Sequence, residues 1–450
     1  MSTTGAPPAP VPLAGPPRRM PRLIPPDGPL SLDEHLARYG AIPFGTGRPP
    51  RGGVIAPLIL EVERSGLTGR GGAGFPCGRK MRAVAQAGAR GGPLGSQVGT
   101  VLVANGAESE PASSKDRMLL SRAPHLVLDG MVLAAEAVGA ARAYLCVHAG
   151  GGAPLRLLAD AVTERERAGL NRVPIQVVTV SGGYVSSQET ALVSFLNGNA
   201  PLPAFIPPLP SDKGVHRRPT LVQNVETLAH LALIARYGAS WFRELGTAQA
   251  AGSLLVTVSG AITTPGVYEV SLGTPIGDLV QRAGGPAEPV QAILAGGYFG
   301  GWLPYPAAQR LALSDHELRP AGAALGPGVL VLLPASACGL AETCRVTSYL
   351  ASQSAGQCGP CRNGLPALAE AVRQVAFGRP GDDLLRWTRQ LADLVTGRGA
   401  CRLPDGTAAL VASGLRVFAD DLRQHAEHGP CARAGRAPVL PAPGRQGPAS

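Results

Sequence analysis

The chain has 450 residues, 45% of them hydrophobic, which is enough for buried cores in about two to four domains. Aromatic residues make up only 4%, so the net charge of +10 does not indicate a nucleic-acid surface built on base stacking. No window of about 18 residues is both apolar and free of charge, so we expect no direct membrane span.

The eight cysteines are expected to be thiols or metal ligands rather than a disulfide framework. The N-terminal segment lacks the apolar core of a secretory signal peptide, which predicts a cytoplasmic protein, and disulfides are rare in that compartment. Four cysteines outside any ligand motif are interpreted as structural or surface thiols: Cys77, Cys146, Cys338 and Cys431.

Both ends of the chain, residues 1–50 and 431–450, are rich in Pro, Gly and Ala. Such low-complexity composition is typical of disordered tails, and we predict disorder for both, with a short helix at residues 32–38. Residues 51–250 instead alternate between short apolar runs and longer amphipathic runs. This alternation predicts an α/β domain with helices on both faces of its sheet.

Residues 251–336 are predicted to form a small α+β module. Residues 254–260 and 264–270 have the composition of two strands joined by a Pro-Gly turn, followed by a helix at 274–283 and a last strand at 328–333. Residues 337–430 are predicted to form a small bundle of four helices. These helices are placed at residues 341–354, 365–377, 382–395 and 407–425.

A glycine-rich loop is the first motif that carries chemistry, with six glycines between Ser65 and Lys80. Glycine lets the backbone approach a ligand closely and turn its N–H groups toward an anion. A helix beginning near Pro76 would add its positive end, and Lys80 would add a charge for a phosphate. An ordinary flexible loop has the same composition, so this motif alone leaves both interpretations open.

Polar residues also follow the strand predicted at residues 101–104. Asn105, Glu108 and Glu110 come directly after it, and ligands of α/β sheets bind at the carboxyl ends of strands. The two acids would equally suit a helix N-terminus. Two further segments, residues 182–190 and 218–227, place polar groups beside apolar runs in the same way.

The last motif is Cys358-Gly-Pro-Cys361, with Cys401 further along the same helical region. Cys-x-x-Cys suits zinc, a redox pair or an iron–sulfur cluster. A thioredoxin-like redox pair would need a βαβ setting, and no second Cys or His pair for zinc lies near Cys401. A metal or cluster site is therefore favoured over inert thiols.

Taken in order, these motifs resemble the NADH-binding flavoprotein subunit of respiratory complex I, an NADH:quinone oxidoreductase, in a divergent form. The resemblance covers about residues 64–417. It rests on five ordered segments: residues 69–76, 108–111 with 115–117, 189–192, 219–228 and 358–361.

The resemblance implies a flavin-binding α/β domain, a ubiquitin-like β-grasp (SLBB-type) insert, and a C-terminal four-helix bundle that holds an iron–sulfur cluster. Glu110 and Glu189 would be catalytic, and Cys358, Cys361 and Cys401 would ligate a [4Fe–4S] cluster. The residues that would bind a cofactor are Gly69, Arg70, Gly71, Gly72, Gly74, Phe75, Lys80, Asn105, Glu108, Gln188, Gln223 and Asn224. Of these, Gly69, Gly71, Gly72, Lys80, Asn105 and Asn224 would hold FMN, and Glu108 would line the flavin and nicotinamide pocket with Glu110 and Glu189.

One departure from the family's pattern concerns the cluster. Ala355 stands where the family has a fourth cysteine, and four thiolates normally hold such a cluster. Three thiolates would leave one iron open to water or to a side chain such as Gln353 or Ser354, or would hold a three-iron cluster instead. Cys344 is expected to lie too far along a helix to substitute.

Other departures concern the flavin and the nicotinamide. Ala107 and Gln188 replace an Asp and a Glu, and the loss of negative charge should raise the flavin's reduction potential. Ala83, Ile206 and Leu209 replace aromatic and cationic positions that the family uses for NADH, which should weaken NADH binding. Whether NAD(H) binds, in addition to FMN and the cluster, therefore stays open at the level of the sequence.

Three functions follow from the resemblance. The first is an NADH dehydrogenase-like enzyme that passes a hydride from NAD(P)H to FMN and then single electrons to the cluster. The second is an FMN and iron–sulfur relay fed by a protein donor, and the third is a non-catalytic scaffold subunit. Expected partners are other redox subunits, including a membrane oxidoreductase at the inner face of the cell membrane, and no nucleic acid.

Overall fold

The computed structural model describes residues 20–26, 28–43, 55–90, 99–149 and 155–442. Within these residues, the first domain contains four strands and eight helices. The strands are β1 Thr100–Gly106, β2 Ala140–His148, β3 Ile175–Val180 and β4 Thr220–Asn224. The helices are α1 Leu32–Tyr39, α2 Pro57–Ser65, α3 Cys77–Ala89, α4 Lys115–Arg122, α5 Pro124–Val138, α6 Leu155–Arg167, α7 Glu189–Leu196 and α8 Val225–Phe242.

The four strands form one parallel sheet in the order β3-β2-β1-β4. The chain adds β2 and β3 on one side of β1 and then crosses back to add β4 on the other side. The carboxyl ends of β1 and β4 therefore form a topological switch point, where ligands of such sheets bind. Asn105 and Asn224 lie side by side there as register partners.

Both faces of this sheet are covered, as alternation in the sequence predicts. Leu102 and Ala104 pack into the core that contains α5 and α8, whereas Val101 and Val103 pack on the other face. Helices α5 and α8 cross closely at Gly130, where a Cβ atom would lie 2.0 Å from the carbonyl oxygen of Leu228.

The predicted disorder of residues 1–50 is wrong for the part of that segment that the structure describes. Leu23 and Tyr39 are buried in the first core, and Nε2 of His35 lies 2.7 Å from Oδ2 of the buried Asp129. The N–H groups of Arg22 and Leu23 donate to Oε2 of Glu269 in the second domain at 2.7 and 2.8 Å. A few apolar residues suffice to order a Pro-rich segment when they meet a core formed elsewhere. Residues 1–19, 27 and 44–50 lie outside the described residues.

The second domain is a mixed sheet in the order β6-β5-β9-β7-β8, in which only β5 and β9 run parallel. Its strands are β5 Ser253–Gly260, β6 Gly266–Ser271, β7 Val290–Ala295, β8 Gly301–Pro304 and β9 Val329–Pro334. Its helices are α9 Ile276–Arg282, α10 Tyr305–Ala308 and α11 Asp315–Leu318. Strands β7 and β8 were missed because short apolar runs among glycines have no clear period.

The third domain is helical, as predicted. Its helices are α12 Gly339–Ser352, α13 Leu365–Phe377, α14 Asp382–Val395, α15 Leu403–Val417 and α16 Ala419–His428. The last predicted helix is thus two helices, which meet at Phe418, where φ is −100° and ψ is 35°. The ring of Phe418 packs against Gly339, and a Cβ atom at Gly339 would lie 2.2 Å from it, so tertiary packing places the break.

The predicted disorder of residues 431–450 is wrong for residues 431–442. Cys431 and Leu440 are buried in the helical core, and the N–H groups of Val439 and Leu440 donate to the buried carboxylate of Glu342 at 3.2 and 3.1 Å. The guanidinium of Arg433 pairs with Asp421. Residues 443–450 lie outside the described residues.

Within the described ranges, no single helix is both long and apolar enough to cross a membrane. Helices α4 and α5 pass that test only as a pair, and they are bent by 96° at their junction.

Candidate functional site

The glycine-rich loop between α2 and α3 is closed by its own backbone. The N–H of Gly69 donates to the carbonyl of Phe75 at 2.9 Å, and Gly72 and Gly74 have φ of +105° and +64°. No hydrogen bond of ordinary geometry within the described residues uses the N–H groups of residues 71–74. Consecutive N–H groups in a backbone of alternating handedness form a concave site for an anion.

Arg70 holds this loop in place. Its N–H donates to Oγ1 of Thr227 at 2.9 Å, and its guanidinium donates to Oγ1 of Thr68 at 2.8 Å and to the carbonyl of Ala251 at 3.2 Å. The residue is 5% exposed. Both terminal nitrogens of Arg70, a predicted cofactor ligand, are therefore used to join the loop to the rest of the protein.

The loop lies against the switch point of the sheet. A Cβ atom at Gly71 would lie 3.4 Å from Cβ of Asn224, which caps α8 by accepting the N–H of Glu226 at 3.0 Å. Nδ2 of Asn224 donates to the carbonyl of Asn105 at 3.2 Å, and Nδ2 of Asn105 donates to the carbonyl of Ser187 at 2.9 Å. The structure thus brings the loop, both strand ends and the segment before α7 together in one crevice.

Lys80 and Glu189 face each other across this crevice, with Nζ 2.8 Å from Oε1, and both side chains are partly exposed. Gln188 caps α7, because its Oε1 accepts the N–H groups of Thr190 and Ala191 at 2.8 and 3.1 Å. Gln188 therefore has a structural role as the cap of α7, independent of any contact with a ligand.

Glu108 fits the helix-terminus alternative that the sequence left open. Its Oε1 accepts from the hydroxyl of Ser113 at 2.5 Å and the N–H of Asp116 at 3.2 Å, and its Oε2 accepts the N–H of Arg117 at 3.3 Å. Its carboxylate thus neutralises the N-terminus of α4.

Glu110 lies where the first and second domains meet. Its carboxylate accepts from the hydroxyl of Tyr184 at 2.8 Å and from the N–H groups of Tyr298 and Ala112 at 2.9 and 3.2 Å. Desolvation raises the pKa of Glu110 to about 7, although these hydrogen bonds oppose the rise. A carboxyl with such a pKa can hold or release a proton at neutral pH.

A buried charge cluster beneath the crevice was missed by sequence reasoning. Nζ of Lys115, 1% exposed, lies 2.6 Å from Asp116, 2.9 Å from Glu226 and 3.3 Å from Oδ1 of Asn224. Burial lowers the pKa of Lys115, but the two carboxylates outweigh it and hold the pKa above its ordinary value. Lys115 lay inside a recognised motif, whereas its pairing with Glu226 has no local sequence signal.

Two other predicted cofactor-binding residues, Gln223 and Phe75, differ from each other in exposure. Gln223 is buried and its Nε2 lies 3.2 Å from Sγ of Cys77, whereas Phe75 is 51% exposed, with the guanidinium of Arg79 5.8 Å from its ring centre. A cavity of about 180 Å³ lies between the loop and the second domain, and its lining combines Arg70 and His316 with Glu226 and Asp315, so it has no clear excess of positive charge for a phosphate.

Cys358, Cys361 and Cys401 converge at one end of the helical domain. Burial alone would raise the pKa of Cys358, but the N–H groups of Ala400 and Cys361 facing its sulfur lower it. The pKa of Cys361 rises to about 11 through burial and through its two cysteine neighbours. The three sulfur atoms do not all lie within 4.8 Å of one another. This wider spacing suits a cluster in which each thiolate binds its own iron.

The position of the absent fourth cysteine is next to Ser354. Oγ of Ser354 donates to the carbonyl of Cys361 at 3.4 Å, whereas Oε1 of Gln353 accepts the N–H of Tyr184 at 3.1 Å. Cys344 lies on α12 with its Sγ 3.9 Å from Oγ of Ser348. Of the two alternatives to a thiolate, the geometry therefore favours Ser354 over Gln353.

Residues 182–188 connect the crevice to the end of α12. The backbone N–H of Tyr184 donates to the side chain of Gln353, and the carbonyl of Ser187 accepts a hydrogen bond from the side chain of Asn105. The ring of Tyr184 also packs on Phe299 and Tyr349, with ring centres 4.9 and 6.2 Å away. One short segment thus reaches from the crevice to within two residues of Ala355 in sequence.

Three family profiles match successive parts of the chain. The Nuo51 FMN-binding domain matches residues 62–233, the SLBB domain matches residues 255–298, and the NADH-ubiquinone oxidoreductase-F iron-sulfur binding region matches residues 336–425. These matches confirm the predicted fold class and the two predicted cofactors, FMN and an iron–sulfur cluster.

The chain is also similar to whole proteins. It is 33% identical over 392 residues to an NADH-quinone oxidoreductase subunit of Mycobacterium bovis, covering 83% of this chain and 85% of the relative. It is 31% identical to the corresponding subunit of Streptomyces coelicolor, covering 82% of each chain. A chain of the NAD⁺-reducing [NiFe]-hydrogenase superposes with a TM-score of 0.73 at 30% identity, covering 84% of this chain and 63% of the hydrogenase chain.

The donor set of this structure fits both cofactors. The free N–H groups of the loop and the partly exposed Lys80 suit a phosphate, and the amides of Asn105 and Asn224 lie beside them. Three converging cysteines suit an iron–sulfur cluster with one position left without a thiolate. With this site, and at this identity and coverage, the chain belongs to the family of flavin-binding NADH-quinone oxidoreductase subunits.

Proposed function

We propose that this oxidoreductase takes a hydride from NADH onto FMN and passes single electrons to its iron–sulfur cluster. FMN, when bound, supplies the exchange between a two-electron donor and a one-electron acceptor. The observation that carries the proposal is the contact of residues 182–188 with both the crevice, through Asn105, and Gln353, two residues before Ala355 in the segment that leads to the cluster cysteines.

The residues of the crevice would have separate roles. The N–H groups of residues 71–74 and the Lys80 ammonium would bind the phosphate, and Asn105 and Asn224 would orient the ring through their amides. Lys115 would hold Asn224 in place from below, because its buried ammonium lies 3.3 Å from Oδ1 of that residue. Glu110, whose pKa is about 7, would hold or release a proton beside the hydroxyl of Tyr184, which donates to its carboxylate.

Glu189 would gate access to the same crevice. Its carboxylate is paired with Lys80, so an incoming phosphate would compete with it for the ammonium. Exposed Phe75 would offer a face on which a nicotinamide or an adenine ring stacks.

The helical domain would hold the cluster and a partner. Cys358, Cys361 and Cys401 would be three ligands, with the Ser354 hydroxyl or water at the fourth position. Trp387 and Leu394 of α14 are 53% and 50% exposed and lie on one face, since seven residues are about two helical turns. This apolar face suits docking to another redox subunit, including one that anchors the complex at the inner face of the cell membrane.

An anaerobic absorption spectrum followed by an NADH titration tests the proposal. Flavin bands and a broad cluster shoulder, both bleached by NADH, would support it. A Lys80→Met variant should bind less flavin, while Lys213→Met, an exposed lysine outside the crevice, should match the wild type. A protein with no flavin after reconstitution would contradict the proposal.

A protein donor in place of NADH is the second candidate. Phe205, Ile206 and Leu209 are 62%, 56% and 48% exposed, close to the start of α7, where the N–H of Ala204 donates to Thr190. An apolar stretch there suits a protein surface better than a nucleotide phosphate. Flavin and cluster that dithionite reduces but NADH does not would favour this candidate.

A further inference from the structure

A second group of metal-binding side chains lies outside both candidate sites. Sγ of Cys338, a ring nitrogen of His425 and Sγ of Cys431 all lie within 4.8 Å of one another. The three residues are 1%, 0% and 8% exposed. Such spacing is closer than that of the three cluster cysteines and suits a single ion rather than a cluster.

Three parts of the fold bring these residues together. Cys338 precedes α12, directly after the last strand of the second domain, and His425 lies in the last turn of α16. Cys431 follows in the C-terminal segment, whose composition predicts a disordered tail. Cys338 and Cys431, predicted to be structural or surface thiols, are thus buried and lie close to each other and to His425.

The imidazole of His425 is oriented as a ligand. Nε2 accepts the N–H of Cys431 at 3.1 Å and lies 3.8 Å from Sγ of Cys338, so its lone pair faces the two cysteines. Nδ1 then carries the ring proton. An ion bound at Nε2 would replace the hydrogen bond that this nitrogen accepts from the backbone N–H of Cys431.

A buried carboxylate lies on the same helix, near the three donors but outside the set that lies within 4.8 Å. Asp421 is one helical turn before His425, and its Oδ1 is paired with the guanidinium of Arg433. Its Oδ2 is buried and has no hydrogen-bond partner within the described residues. An unpaired buried carboxylate oxygen is unfavourable, and a cation would satisfy it.

We infer that Cys338, His425 and Cys431 bind one zinc ion, with a water molecule at the fourth position and the Asp421 carboxylate nearby. Two thiolates, an imidazole and a water form a donor set that zinc accepts in tetrahedral geometry. Each thiol loses its proton to solvent on binding, and no electron is transferred. Because the three protein ligands are buried and lie apart from the crevice and the cluster cysteines, the ion is structural.

The ion would connect the two ends of the helical domain. Without it, residues 431–442 are held by Arg433, by the Glu342 carboxylate and by the hydroxyl of Tyr298 donating to Pro441. With it, the same segment is tied to the start of α12 through Cys338. We therefore expect removal of zinc to loosen this segment first.

Metal analysis of the purified full-length chain tests the inference. We expect about one zinc ion per chain in addition to iron, because a filled structural site holds its metal through purification. Cys338→Ser, His425→Gln and Cys431→Ser should each lose the zinc and keep the iron. The matched control is Cys146→Ser, since Cys146 is fully buried but far from any other ligand in sequence.

A variant without the cluster ligands separates the two sites. A triple variant should lose the iron and keep the zinc. It combines Cys358→Ala, Cys361→Ala and Cys401→Ala. Zinc that disappears in this variant belongs to the cluster cysteines, and the inference would then be overturned. Asp421→Asn should weaken zinc binding roughly tenfold or more without abolishing it.

Cobalt replacement reports on the ligands without any substitution, so it does not depend on a variant folding. Full-length chain loaded with Co²⁺ should show thiolate-to-cobalt charge transfer and the intense d–d bands of a tetrahedral ion. Their absence overturns the inference. A Cys338–Cys431 disulfide, seen as a cross-linked peptide after digestion of the unreduced protein, also overturns it.

Discussion

The flavin crevice and the cysteine cluster differ in how they tolerate replacement of the residues that the family uses. In the crevice, Gln188 stands in place of a Glu and still caps α7 through its Oε1. At the cluster, Ala355 stands in place of a cysteine, and a methyl carbon has no lone pair to give an iron. A hydrogen-bonding role thus survives a change from carboxylate to amide, whereas a ligand bond does not survive the loss of sulfur.

The difference also lies in how each site is supported. The crevice lies above a buried network of Lys115, Asp116, Glu226 and Asn224, which fixes the ends of two strands and two helices. Cys361 lies in a short π-helical turn, Pro360–Gly364, that leads into α13, whereas Cys358 and Cys401 lie just outside helices, and no buried ion-pair network like that of the crevice supports the three within the described residues. The crevice is therefore formed by the protein alone, while the geometry of the cluster site depends more on its metal.

The largest expected effect is at the cluster. Cys361→Ser should abolish it, because only two thiolates would remain and Cys361 is the most buried of the three. Iron content and the electron paramagnetic resonance signal of the reduced protein measure this. Cys344→Ser is the control, and a cluster lost there as well would mean that Cys344 is a ligand after all.

The reverse change, Ala355→Cys, sharpens the comparison. A fourth thiolate should convert a three-iron or open-site cluster into a fully ligated [4Fe–4S] cluster, with a changed resonance spectrum and more iron per chain. An unchanged spectrum in a variant that folds would show that another residue already completes the coordination. A Ser354→Ala variant then tests whether Ser354 is the residue that completes the coordination.

The buried network of the crevice should be the next most sensitive. Lys115→Met leaves Asp116 and Glu226 buried without a counter-charge, so the free energy of unfolding should fall by about 3–5 kcal/mol. Urea unfolding of the flavin-free protein measures it. Adding Glu226→Gln should recover part of the loss, and an unchanged midpoint in Lys115→Met would contradict the network's importance.

A smaller effect is expected in the glycine loop. Gly72 has φ of +105°, which an L-residue adopts at a cost of about 1–3 kcal/mol, although a Cβ atom there meets only ordinary contacts. Gly72→Ala should therefore shift the loop and weaken FMN binding by about tenfold, measured by flavin fluorescence. Gly169→Ala, at φ of +68° on the protein surface, carries similar strain and should leave the affinity unchanged.

The smallest effect concerns pH. The pKa of Glu110 rises from 4.5 to about 7, so the folded protein binds a proton that the unfolded chain has released between these values. The contribution of Glu110 to the free energy of unfolding is complete below its pKa in the unfolded chain, 4.5, and is lost as pH rises through 7. Glu110→Gln should flatten the decline of the melting temperature between pH 5 and 8.

The sequence alone predicted the types of most elements and the position of the chemistry. Strand β3 and helices α13 and α14 follow from apolar spacing, and the glycine loop, the residues after β1 and the cluster cysteines follow from local motifs. These features are local because each depends on residues within a few positions of one another. The resemblance to a family then supplied the cofactors that the motifs could not name.

Only the tertiary structure decided the rest. It ordered residues 20–26, 28–43 and 431–442, whose composition predicts disorder, because their few apolar side chains meet cores formed by distant segments. It paired Lys115 with Glu226 and brought Cys338 to His425 and Cys431, although none of these pairings has a local signal. Spacing along a chain encodes the period of a helix or a strand, whereas contacts between elements depend on how their faces pack.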